Sequence, residues 1–394
     1  MITRRRFLGF GAGTAGLAAL PRWMRCAAAP VTGDPSRVLV VVQLMGGNDG
    51  LNTVVPLDDD RYARLRPNLA LRKQQVLALD ERNGFHSSLA NLRARFGEGE
   101  VAIVHGVGHA HPNLSHFRSQ AIWEAASEQG SASRDGWLGR HHDACDRAGS
   151  PVALLALGRD SLPLALRSRT SAFPAIPDLA AWRLQGSAPV IEGEEGEDSL
   201  GRVRDCMRSA LEASEALGRA SGRSTRAAYP DHPLGRSLKS AADVVVAGLP
   251  VRCVWVTLPG FDTHTEQLEE HARLLARLDA SLDAFLADLE TEGAHERVLV
   301  ATISEFGRRP AESGLGELAG TDHGTASTLL VAGARVRGGI LGEQPDLDDL
   351  DPHGNPGHRV DFRSLYATLI EDWLGGNAEP VLGAAYPKLE LVRS

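Results

Sequence analysis

The sequence predicts an α/β fold, a three-layer αβα sandwich with a mostly parallel central sheet. Three observations predict it. Six short apolar runs recur along the chain, each is continuous rather than alternating, and helical patterns separate them. A strand covered on both faces has no polar side to show, so it reads as an unbroken run. Strands alternating with helices indicate a doubly wound, mainly parallel sheet.

The runs are "RVLVVVQLM" (37–45), "VAIVHGV" (101–107), "PVALLAL" (151–157), "VRCVWVTL" (251–258), "RVLVATI" (297–303) and "STLLVAG" (327–333). Helices are expected over 86–97, 115–127, 136–147, 199–222, 234–248, 264–292 and 361–374. The pattern over 264–292 is the clearest, because Leu268, Ala272, Leu275, Leu278, Leu282, Phe285 and Leu289 make one apolar stripe. Thr263 and Glu266 have capping-box spacing at its start, and Gly293 suits its end. Residues 30–394 read as a single domain with a helical insertion at about 159–250. The acid run "EGEEGED" (192–198) inside that stretch reads as a solvated loop, and 343–358 as a polar loop.

Residues 1–29 stand apart. Arg4, Arg5 and Arg6 precede an uncharged run from Phe7 to Leu20, followed by small residues, which is the layout of an export signal. "TRRRFL" resembles the twin-arginine motif, so a periplasmic or secreted location is expected, with cleavage near Ala28 or Ala29. The run holds 14 residues and four glycines, too short to span a bilayer, so no stable transmembrane anchor is expected after cleavage. Without residues 1–29 the chain carries 37 basic against 50 acidic residues, a balance of −13. That excludes a basic footprint for nucleic acid. Cys145, Cys206 and Cys253 remain, too few for a disulfide framework. Cys253 lies in an apolar run and reads as buried, and a Cys145–Cys206 bridge stays open.

In open α/β sheets ligands bind beyond the carboxyl ends of the strands. After 37–45 comes "GGNDGLN" with Asn48 and Asp49; after 101–107 comes "GHAHPNLSHF" with His109, His111, Ser115 and His116. After 251–258 comes "PGFDTH" with Asp262 and His264; after 297–303 comes "SEFGR" with Glu305 and Arg308. "GTDHG", with Asp322 and His323, lies just before 327–333. Acids and imidazoles thus collect at one edge. Such a set suits a divalent metal, Zn²⁺ or Mn²⁺ first and Ca²⁺ or Mg²⁺ as alternatives, as one ion or two. Asp49, Asp262, His264, Glu305, Asp322 and His323 are the candidate ligands. Ser115 opens a helix, where a hydroxyl can act as nucleophile or simply as N-cap; Arg308 or Arg118 would neutralise a substrate anion. Asp49 could be a turn residue, and Glu305 with Arg308 a structural ion pair. His86, His141, His142, His232, His271 and His295 read as surface residues.

"VVVQLMGGNDGLNTVVP", "NLSHFRSQAIWE", "GFDTHTEQ", "SEFGRRP", "GTDHGTASTLLVAG" and "DFRSLYATLIEDWLG" resemble the 1501 family of domains of unknown function, exported bacterial proteins grouped with the alkaline phosphatase and sulfatase superfamily. The resemblance covers about Val38 to Leu374. It implies an alkaline phosphatase-like fold and metal-assisted hydrolysis of a small anionic phosphate or sulfate ester, or a phosphonate. By position it implies that Asp49, Asp262, His264 and His323 bind metal, that Glu305 serves a second ion, and that Ser115 is the nucleophile. The "DTH" spacing is tighter than in the better-known enzymes, and the strand before Glu305 lacks their adjacent Asp-His pair. No CxPxR or SxPxR stretch occurs, which argues against sulfatases that modify that motif.

Two other functions compete. A metal-free serine esterase would use Asn48 of "GGND" as oxyanion donor and "DTH" as the acid–base end of a triad, but the chain has no GxSxG elbow and no Gly-Asp-Ser block. An exported, non-catalytic binding or scaffold protein would keep the fold with a partial ligand set.

Overall fold

The computed structural model describes residues 34–128, 130–145, 150–182 and 199–393. The expected export signal, the acid run 192–198 and the Cys206 side chain lie outside them.

The apolar runs form strands close to their expected bounds: β1 Val38–Met45, β5 Val101–Gly108, β6 Leu154–Leu157, β8 Cys253–Pro259, β9 Val298–Ile303 and β12 Ser327–Ala332. The short strands β2 Val54–Pro56, β3 Val76–Ala78 and β4 Asn83–His86 make a small separate sheet, and β10 Gly307–Ser313 pairs with β11 Gly320–Gly324 as a hairpin. Three short pieces, β7 Ala175–Ile176, β13 Gly339–Leu341 and β14 Val360–Asp361, complete the main sheet, whose order is β13-β5-β12-β9-β1-β8-β6-β7 with β14 also on β5. Every pairing in it is parallel except those of β12, which runs against both β5 and β9.

Alternation along β1 builds the three layers. Val38, Val40, Val42 and Leu44 join one core with Leu238, Leu275, Leu278, Leu282 and Phe285. Leu39 and Val41 join the other, with Trp123, Trp137, Tyr366 and Trp373. Both faces of the strand are therefore buried under helices, which is why the run shows no polar alternation.

The helices Ala90–Gly97, His116–Ala125, Trp137–Cys145, Ser199–Ala220, Pro233–Val246 and Gln267–Thr291 fall where periodicity places them. The last segment, expected as one helix over 361–374, is α-helical over Phe362–Thr368 and π-helical over Leu369–Leu374. The stretch expected as an insertion is partly sheet and layer: β7 extends the main sheet, and Leu234, Leu238 and Ala241 of Pro233–Val246 pack in its core. The expected capping box does not form. Glu266 holds the N-cap in a left-handed conformation, φ 52°, without a side-chain bond, and Gln267 N–H bonds instead to Ala319 O at 3.1 Å. The helix starts late because 262–264 turn aside at the strand end.

Burial corrects the histidine reading. His86, His141, His142 and His271 are buried, not on the surface. Cys253 is buried as expected, and burial pushes its thiol above the usual range.

Candidate metal centre

Strand register sets the site. Met45 lies opposite Pro259, and Gln43 opposite Ile303, so β1, β8 and β9 end at one edge. Antiparallel β12 starts at that edge, with Ser327 opposite Val107, so the hairpin before it also arrives there. The chain leaves β1 through Gly46 and Gly47, with φ of 122° and 87°. A Cβ on Gly46 would stand 2.3 Å from Asp262 N, and one on Gly47 2.5 Å from the Phe306 ring. Glycine is needed at Gly46 because backbones from two strand ends meet there, and at Gly47 because the Phe306 ring packs against it.

Asp262 is the centre. Its Oδ1 lies 3.0 Å from His323 Nε2, 3.1 Å from His264 Nε2 and 2.7 Å from Arg308 Nη2. Its Oδ2 lies 3.3 Å from His116 Nε2. The Nε2 atoms of His264 and His323 are 3.0 Å apart. Each ring is held at its other nitrogen: His323 Nδ1 donates to Leu114 O at 2.8 Å, His116 Nδ1 faces Glu305 Oε1 at 2.9 Å, and His264 Nδ1 faces Asp322 Oδ1 at 3.4 Å. A carbonyl only accepts, so His323 carries its proton on Nδ1 and turns a lone pair inward from Nε2; His116 and His264 each have a carboxylate at both ring nitrogens, and the tautomer protonated at Nδ1 is the one that leaves Nε2 to a cation. The His116 and His323 rings lie against Phe306, at centroid distances of 4.9 and 4.5 Å.

His116, Asp262 and His323 each offer a donor atom within 4.8 Å of the others, the one such set among the described residues. Two imidazole nitrogens on one tetrahedral zinc would stand roughly 3.3 Å apart, close to the His264–His323 separation. Burial works to raise the Asp262 carboxyl. The hydrogen bond and the charge of Arg308 overcome it and hold the group at about 2.

The other expected ligands sit elsewhere. Asp49 is buried and faces away from the cluster: its Oδ2 takes Arg66 Nη1 at 2.5 Å and Gln267 Nε2 at 2.5 Å, and its Oδ1 caps the turn at Leu51 N, 3.1 Å. It is a buried ion-pair partner in place of the expected ligand, as the turn alternative allows. Glu305 is buried behind His116. Its Oε1 also accepts from Gly46 N at 2.9 Å, while Oε2 is buried with no protein partner. Asp322 is half exposed and faces His264 and, at 3.7 Å, Arg309, so it backs a ring and stays outside the inner set.

Arg308 is buried, and its guanidinium donates to Gly47 O, Thr321 O, Gly46 O and Phe261 O as well as Asp262. With every nitrogen engaged it is no open clamp for a substrate anion, and it does not pair with Glu305. Arg118 is exposed. Ser115 is exposed at the N-cap of the His116–Ala125 helix, makes no side-chain capping bond, and bonds through its N–H to Asn113 Oδ1 at 3.0 Å. Asn48 is buried, with its amide on Thr53 and its Oδ1 3.0 Å from His271 Nε2, so it offers no oxyanion donor to an esterase.

His116 belongs to the set although it is not among the ligands expected from the sequence. It shares a helix face with Ser119, Gln120 and Trp123; the Ser119 hydroxyl donates to Glu305 O, and Gln120 Nε2 lies 3.4 Å from Glu305 Oε1. Spacings of three, four and seven to that face were its signal.

Fold and cluster together define a class: a three-layer α/β protein with an imidazole–carboxylate centre at the carboxyl edge of a mainly parallel sheet. Within it, the chain belongs to the family described as "Protein of unknown function (DUF1501)", which matches residues 101–373 and is the family that the motifs resemble. No curated protein matches the chain. Among solved structures, it is similar to the C-terminal periplasmic domain of EcEptC from Escherichia coli in complex with Zn, at 10% identity and TM-score 0.39, over 77% of this chain and 76% of that one. It is similar also to PsFucS1 sulfatase from Pseudoalteromonas sp., at 11% identity and TM-score 0.39, over 88% and 68% of the two chains. A third is the phosphonate monoester hydrolase SpPMH from Silicibacter pomeroyi, at 12% identity and TM-score 0.33, over 89% and 78%.

Proposed function

We propose that this protein is an exported, divalent-metal-dependent hydrolase of anionic esters, taking a phosphate or sulfate ester or a phosphonate. One observation carries the reading. Three imidazole Nε2 atoms converge on the Asp262 carboxylate, and each ring is fixed by an oxygen at Nδ1. Inward lone pairs and a carboxylate repel one another, and a cation between them relieves that repulsion. His116, His323 and Asp262 would hold the ion, with His264 beside them. An ion bound there supplies Lewis acidity to an ester oxygen and acidifies a neighbouring hydroxyl.

The residues of the chain do the rest. Arg308 keeps Asp262 ionised and fixes its direction. Leu114 O keeps the His323 ring in the ligating tautomer, and Glu305 orients the His116 ring. Ser115 sets a hydroxyl free of capping duty beside His116, at a helix start whose N–H groups favour developing negative charge. In this reading Ser115 Oγ gives up its proton and bonds to the phosphorus or sulfur, the bond from that atom to the ester oxygen breaks, and the leaving alcohol takes up the proton; water then hydrolyses the phospho-, phosphono- or sulfo-Ser115 ester, which frees the acid and restores the hydroxyl.

The test is elemental analysis of purified protein after reconstitution with Zn²⁺, Mn²⁺ or Ca²⁺, alongside turnover of phosphate, sulfate and phosphonate esters. His116→Ala, Asp262→Ala and His323→Ala should lose metal, and Ser115→Ala should keep metal and lose turnover. A wild type that binds none of the three ions sinks the proposal.

A further inference from the structure

We propose that the ester taken at this site is amphiphilic, with an apolar group attached to its anionic head. This rests on the reading above and adds the substrate class to it. Among the described residues four large hydrophobic side chains are exposed: Phe117 at 87%, Leu315 at 84%, Leu318 at 61% and Met207 at 42%. Three of the four belong to the elements that carry the cluster. Phe117 follows His116 in the first turn of its helix. Leu315 and Leu318 lie on the turn that joins β10, which carries Arg308, to β11, which carries Asp322 and His323.

The start of β11, just after that turn, is folded against the backbone of the other histidine. A Cβ on Gly320 would stand 2.2 Å from the His264 carbonyl carbon, and Thr321 N–H bonds to Thr263 O at 3.2 Å. Leu318 is two residues from this contact. Phe117 therefore adjoins His116 along the chain and Leu318 lies two residues from the contact with His264, while both rings reach the same carboxylate at 3.3 and 3.1 Å. Exposed apolar surface rimming a polar centre marks a ligand site, and the polar centre selects the ligand's anionic end. The occupant is a single amphiphile rather than an anionic bilayer. The chain carries a net charge of −8, and exposed Glu317 stands between the two leucines, so a negatively charged surface would be repelled.

The test uses the metal-reconstituted full chain and measures binding of methyl-, butyl- and octylphosphonate, and of the matching alkyl sulfates, by calorimetry below their micelle concentrations. Octyl ligands should bind on the order of tenfold more tightly than methyl ones, as partial burial of the added methylenes requires. Phe117→Ser and Leu315→Ser/Leu318→Ser should flatten that series while leaving methyl binding unchanged. Equal binding along the series overturns this inference and leaves the hydrolase reading standing. No binding of any ligand overturns both. A chain-length gain that survives both variants, or a protein that co-sediments with phosphatidylglycerol vesicles and loses this in the variants, also overturns it, the latter in favour of membrane docking.

Discussion

Arg308 Nη2 donates to Asp262 Oδ1 at 2.7 Å, with the arginine side chain wholly buried and the carboxylate half exposed. The cation faces the protein and the anion faces the cleft. The same guanidinium gathers carbonyls from 46–47, 261 and 321, so one side chain ties together the ends of β1 and β8 and the hairpin. Its charge is spent on architecture.

Arg308→Lys should therefore cost more than its charge suggests. An ammonium cannot reproduce a planar fork that serves four carbonyls and a carboxylate. Urea denaturation should show a loss of about 3 kcal/mol, as for other disrupted buried charges. Metal affinity should fall by about 10–100-fold, the usual effect of losing a ligand's supporting partner. A variant with wild-type affinity would remove Arg308 from the positioning role.

Asp49 leads to an opposite pattern. Arg66 and Asp49 are both buried, and Gln267 bridges the pair onward to Thr321. Asp49→Asn should destabilise the protein by about 3–5 kcal/mol by leaving the Arg66 charge uncompensated. Metal content should be unchanged. Burial works to raise the Asp49 carboxyl, but the Arg66 charge and the bonds from Arg66 and Asn52 hold it below the usual range. Its stabilisation is thus present above the unfolded value and fades as pH falls below about 4. A metal-free Asp49→Asn with normal stability would restore Asp49 as a ligand.

The sheet was legible because burial on both faces leaves continuous runs, and the edge was legible because acids and histidines follow those runs. What local pattern cannot show is direction. Asp49 and Asp262 both follow apolar strands, yet one turns inward to Arg66 and the other outward to three imidazoles. The deciding partners lie 17 and 218 residues from Asp49, in Arg66 and Gln267, beyond any spacing rule. His271 shows the same limit: it sits in the helical stripe's flank, and only the packing of Asn48 and Phe261 against it makes it a core residue.

Metal should act on the fold as well as on chemistry. The donors come from the ends of β5's following loop, β8 and the β10–β11 hairpin, segments that the unfolded chain does not bring together. Binding to the folded state alone adds about 2.7 kcal/mol at a hundredfold excess over the dissociation constant. Thermal unfolding should shift upward with added Zn²⁺ or Mn²⁺ in the wild type and not in His323→Ala. A shift of equal size in that variant would place the ion elsewhere.

Acid should unfold this protein before its carboxylates titrate. His105, His141 and His271 are buried, and burial, the leading cause in each, lowers them to about 4, 3 and 3. They are neutral in the fold, and neutral His271 donates from Nε2 to the Asn48 amide oxygen. The unfolded chain takes up their protons near 6.5, so it binds more protons than the folded one between there and about 4. Their folded-state pKa values are depressed. The stability tied to neutrality is therefore complete above about 6.5 and is withdrawn as pH falls toward the folded values, at up to about 1.4 kcal/mol per pH unit for each group. Urea midpoints should drop markedly from pH 7 to pH 5. Replacing His141, which lies away from the cluster beside Cys145 and Gly376, with Asn should make that dependence shallower. A midpoint that stays level between pH 7 and pH 5 would mean that these rings already carry protons in the fold.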